Sequence, residues 1–201
     1  MVLINGCLAC DRELQALNIS SEPVAKEYLP VHYHEGAISG VKVDLALGYQ
    51  GDSSKTLRSI RKHLKGPFCP LKKPLQNRFL SCVPVRVGAW GDDAVSKLSV
   101  FGSAIIQVVG ELDEPERSEQ EPPIVVALSV RDHYWQYSII YREADVEQDA
   151  EDSETPFVLY GPWMAGHTST LLGVFQLVKF IDVLRNWVVD EWLMRVETCE
   201  G

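Results

Sequence analysis

Asp44 stands in the apolar run VKVDLAL, and a later strand-like run, SCVPVRVGA, offers Arg86. Asp92, Asp93 and Lys97 follow at once in GDDAVSKL. An acid in one strand-like run and a cation in a later one, with two more acids at a turn into a helix, are material for divalent-metal binding or proton transfer. His133, Tyr134 and Trp135 in RDHYWQY, His167 in AGHTST, and His32 and His34 in PVHYHEG add further candidate groups. The imidazoles suit acid–base work because they titrate near neutrality; the plain alternative for each is a surface or hydrogen-bonded histidine. Cys7 and Cys10 form a CxxC that His32 and His34 would complete as a zinc set. No second cysteine pair stands at motif spacing, so no metal is expected there.

These groups need a scaffold, and 201 residues are enough for one domain with a proper core. The chain is 46% hydrophobic and 23% charged, ordinary for a globular protein. No stretch reads as a bilayer span or a signal leader, so no membrane partner is expected. Five cysteines at irregular spacing read as reduced thiols of an intracellular protein, cytoplasmic or nuclear.

Charge is sorted along the chain. The net value is −9, yet residues 53–91 contain no Asp or Glu and carry nine of the nineteen basic residues. LDEPERSEQEPP and READVEQDAEDSETP are acidic and read as solvated loops. The whole molecule would not be drawn to nucleic acid, but one face could be.

The pattern predicts an N-terminal helical arm over residues 1–24 and a single globular domain over 25–201. GVKVDLALGY reads as a strand. SSKTLRSIRKHLKGP reads as a capped short helix whose outer side carries Arg58, Arg61, Lys62 and Lys65. A strand over Cys82–Gly88 should bury Val83, Val85 and Val87 and turn Pro84 and Arg86 outward. A helix should follow over Asp92–Val109. PIVVALSV and YWQYSIIYRE form an antiparallel hairpin about Arg131-Asp132-His133, and PFVLYGP is a further strand. The last element is a helix over Thr168–Glu197. Its stripe of Leu171, Leu172, Phe175, Val178, Ile181, Leu184, Trp187, Val188 and Trp192 is expected in the core. The fold class is mixed α/β, a small central sheet flanked by helices.

In order and spacing, VKVDLAL, NRFLSCVPVRVGAWGDDAVSKLSVFGSA, RDHYWQYSIIYRE and GHTSTLLGVFQLVKFIDVLRNWVVDEWLM resemble the fungal PD-(D/E)XK nuclease-like domain. The resemblance runs from about Tyr28 to Arg195 and implies a restriction-endonuclease-like fold. In active members, an acid on one strand joins an acid and a lysine, spaced E-x-K, on the next. The carboxylates hold Mg²⁺, and metal and lysine together place a hydroxide for phosphodiester attack. Asp44 falls at the first acid. The Glu position lands on Val83 or Pro84 and the Lys position on Val85 or Arg86; strand parity prefers Pro84 and Arg86. Neither register supplies an acid, and a guanidinium cannot replace a neutral amine. The motif therefore looks degenerate.

Three functions follow as expectations. The first is a non-catalytic module that uses the old cleft and the basic segment to bind an anionic partner, whether nucleic acid or another ligand. The second is a repurposed enzyme acting on a small molecule in specialised metabolism. The third is a nuclease with migrated ligands, Asp92 or Asp93 and Lys97, which alone would need Mg²⁺. Asp44, Arg86 and His133 are the candidate catalytic or relic residues. Arg58, Arg61, Lys62, Lys97, Tyr134 and Trp135 are the candidate ligand contacts. A homodimer is a further expectation, with Trp163, Trp187 and Trp192 as its interface or, in the plainer reading, as core.

Overall fold

The computed structural model describes residues 14–29, 41–50, 69–71, 79–88, 92–110, 123–143 and 156–193. Six strands form one sheet in chain order: β1 (Leu14–Asn18), β2 (Leu45–Gln50), β3 (Phe79–Val87), β4 (Ile124–Arg131), β5 (Tyr134–Arg142) and β6 (Phe157–His167). All neighbours are antiparallel except β3 and β4, which run parallel. A parallel pair needs a crossover, and helix α1 (Asp92–Gly110) supplies it. Helix α2 (Leu171–Trp187) follows β6, packs back on it, and continues into a π-helical turn, Val188–Trp192. The mixed α/β class read from the sequence is observed.

The helices take opposite faces. Gly102 of α1 abuts Ile140 of β5, while Phe180 of α2 lies against the ring of Tyr137 on the same strand, at 5.0 Å. Successive strand residues alternate faces, so Ile140 and Tyr137 mark the two sides. On β2 and β3, Leu45–Tyr49 and Cys82–Val85 are buried without alternation, as strands covered on both faces are. Cys69 and Cys82 are buried thiols; burial pushes Cys69 up to about 12 and Cys82 well above its usual range.

Several sequence expectations change here. The helix expected near the N-terminus is absent from its described part: Leu14–Asn18 pairs with β2, and only a 3₁₀ turn, Lys26–Tyr28, follows. Leu, Gln and Ala favour a helix, but pairing with a central strand overrides that local preference. On β3, Pro84 is buried and Val87 is 45% exposed, against the expected alternation. Double coverage buries Pro84, whereas Val87 lies where the strand leaves the sheet. There Gly88, at φ 77°, turns the chain in a conformation that glycine adopts without strain.

The β4–β5 hairpin, with Asp132 at φ 53°, and the long α1 match expectation. Asp93–Gly110 does have the length and composition of a membrane-crossing helix, contrary to the expectation of no such run; 61% of it is buried within the protein, which accounts for its apolarity.

The C-terminal helix departs most. Gly173, Leu177, Ile181 and Leu184 of α2 are buried, and Val188 and Trp192 continue that side. Leu171, Leu172, Phe175 and Val178 are exposed. They share helical spacing with the buried set but lie on the far side of a helix that has only one surface to pack against. Trp192 is buried, Trp187 packs against the core's margin, and Trp163 is half-buried between Tyr137 and Tyr160.

Candidate functional site

Asp44 sits one residue before β2, with its backbone tied on both sides. Its N–H donates to the Val85 carbonyl at 3.0 Å, and its carbonyl accepts from Ile19 at 3.1 Å. Leu45 pairs with Val85, which sets Asp44 across from Arg86 on the same face. Nη1 of Arg86 donates to both Asp44 oxygens, at 2.8 and 2.7 Å, and the Val87 N–H donates to Oδ2 at 2.6 Å. The pair is mostly buried, with 19% of the Arg86 side chain and 27% of the Asp44 side chain exposed.

The cluster continues onto α1. Nη2 of Arg86 reaches Asp93 Oδ2 at 3.5 Å, and Lys97 Nζ sits 2.7 Å from Asp93 Oδ1. An acid in the first turn suits the positive end of the helix, and the Asp93–Lys97 spacing of four brings the two side chains together. The Lys97 hydrogen bond, helped by Arg86, holds the Asp93 carboxyl below its ordinary value. Charges alternate through Asp44, Arg86, Asp93 and Lys97 and cancel. Arg86 Nε is buried without a hydrogen-bond partner.

Arg86 also starts a row of side chains across the sheet. Its neighbour on β4 is Ser129, which faces Gln136 on β5, which faces Met164 on β6. Beside this row, under the first turns of α1, a recess is lined by Ala94, Val95, Leu98, Ser129, Gln136, Ser138, Leu159 and Pro162. Among the described residues, its lining contains no aromatic side chain. Ser129, Gln136 and Ser138 were missed in the sequence reading. Their signal was present as polar letters interrupting the strands ALSV and WQYS.

The structure unites Asp44, Arg86 and Lys97 and places the other described candidates, His133, Tyr134, Trp135 and His167, elsewhere. His133 Nδ1 is 3.1 Å from Thr168 Oγ1, at the hairpin end. Tyr134 is exposed and its ring is tilted against His167 at 6.0 Å, and His167 Nδ1 lies 2.7 Å from Ser169 Oγ. Trp135 is buried on the face opposite Gln136. Arg58, Arg61 and Lys62 lie outside the described residues, as do Cys7, Cys10, His32 and His34.

A bound Mg²⁺ would need several oxygen ligands at one point. Asp44 already spends both oxygens on Arg86 and Val87, and β3, FLSCVPVRV, has no acidic side chain. Among the described residues, no three His, Cys, Asp or Glu side chains converge. The described residues as arranged do not fit the ion.

One family profile, that of the PD-(D/E)XK nuclease superfamily, matches residues 5–193. The chain belongs to the PD-(D/E)XK nuclease superfamily. No curated protein and no solved structure matches it.

Proposed function

We propose that this protein is a non-cleaving member of the superfamily that holds an anionic partner, a nucleic-acid backbone, instead of cutting it. The observation that carries the reading is the Arg86 guanidinium on both oxygens of Asp44. A fixed cation takes the place where a divalent ion would be held, and a guanidinium stays protonated, so it cannot serve as a base. The fold's surface for a phosphate backbone outlasts that change. The acid-free stretch 53–91, with its nine basic residues, supplies the charge for such contacts in a chain that is otherwise acidic.

The test pairs binding with cleavage. Single- or double-stranded oligonucleotides should bind with an affinity that falls steeply as salt rises, and Arg61→Glu with Lys62→Glu should abolish binding. No cutting should occur with Mg²⁺ or Mn²⁺. Affinity indifferent to both salt and charge reversal would sink the reading.

A second reading is favoured by one observation: Asp93 is drawn to the same guanidinium as Asp44 and holds Lys97 beside it. It keeps metal-dependent cleavage, with acid and lysine moved from β3 to α1. Cleavage with Mn²⁺ that Asp44→Ala and Asp93→Ala each destroy would establish it in place of the first.

A further inference from the structure

Leu171, Leu172, Phe175 and Val178 are 73%, 69%, 63% and 37% exposed. Single exposed apolar residues are common, but these four stand at helical spacing on one side of the first two turns of α2. The same helix buries a full second side against β6, so the exposed ridge is not needed to fix the fold.

We infer that this ridge is the contact face of a symmetric dimer in which α2 lies antiparallel across α2 of a second copy, centred on Phe175. Two features choose a second copy as the occupant. The first is area: two such ridges together would remove on the order of 1,000 Å² from water, the lower bound for a specific interface. The second is complementarity. Antiparallel pairing about Phe175 sets Leu172 against Val178 of the partner subunit, and the aliphatic stem of Lys179 against Leu171 of the partner subunit. It also carries Asp182, which is exposed and pairs with Arg185 of its own helix at 3.2 Å, towards the N-terminus of the partner's helix, whose dipole favours an anion. A two-fold axis makes each of these contacts twice.

Sedimentation equilibrium of the whole chain, from about 1 μM to about 1 mM, tests this over the range where such a contact dissociates. A monomer–dimer equilibrium is expected. Leu172→Glu with Phe175→Glu should weaken it at least about 30-fold while circular dichroism and melting stay unchanged. Should that pair perturb folding, Phe175→Ser serves in its place. Asp182→Lys should weaken the dimer about threefold or more. Ile124→Glu, at an exposed apolar site on β4, should leave it intact. A monomer throughout the range overturns the inference, as does a dimer unmoved by the ridge variants.

Discussion

Helix α1 sends Leu98, Phe101, Ile105 and Val108 into the core and keeps charge only in its first turns, where Asp93 and Lys97 are engaged. Helix α2 is comparably apolar, but it turns Leu171, Leu172 and Phe175 to solvent and buries a narrower side. The difference is position in the chain path. A crossover helix between parallel strands is laid over several strands at once, so most of its surface is covered. A helix that follows an edge strand touches little beyond that strand, and its remaining apolar side chains need another explanation. Apolar spacing in a sequence reports which residues avoid water together; it does not report how many sides will be covered.

The comparison can be broken first at the α1 end. Arg86→Met should leave the half-buried Asp44 carboxylate without its ion pair and cost about 2–4 kcal/mol in denaturant unfolding. Combining it with Asp44→Asn should recover part of that loss, because the stranded charge is gone. A loss under about 0.5 kcal/mol for Arg86→Met would mean that the pair is an exposed contact of little weight.

At the α2 end, a Cβ on Gly173 would strike the His167 backbone carbonyl, which is not a flexible side-chain tip. Gly173→Ala should force α2 away from β6 and cost about 1–3 kcal/mol, read from the same unfolding curves. Thr170 caps α2 by accepting from the Gly173 N–H at 3.1 Å, and Thr170→Ala should cost about 1 kcal/mol. The smallest expected effect is at Asp93. Its folded-state pKa lies below the unfolded value, so its contribution is present above that value and is lost as pH falls through the folded one. Asp93→Asn should therefore flatten the stability profile only below about pH 4. A change confined to neutral pH would contradict the pairing with Lys97.

How much was legible beforehand follows the same line. The strand run from β2 to β6, the crossover helix and the hairpin at Asp132 could be read because local pattern and tertiary environment agree there. Asp44 facing Arg86 could be read only in part: strand parity favoured the register that turns Arg86 to the acid's side, while the register with Val85 there stayed open. β1 could not: its Leu-Gln-Ala composition favours a helix, and only the partner strand decides otherwise. Pro84 and Val87 were misplaced because alternation assumes one covered face, and β3 has two covered faces in its middle and an uncovered end. Ser129 and Gln136 needed the β3–β4–β5 register, which single strands do not carry. His133 was grouped with Asp44 by residue type alone, and the fold gives it Thr168 instead.

The central claim is that Arg86, and not a metal ion, is the cation that Asp44 holds. A crystal grown in Mn²⁺ and measured at the manganese edge tests it directly. The anomalous map should be empty around Asp44, with the guanidinium still on both carboxylate oxygens. An ordered ion bound to Asp44 and a second carboxylate, with Arg86 swung aside, would contradict the account.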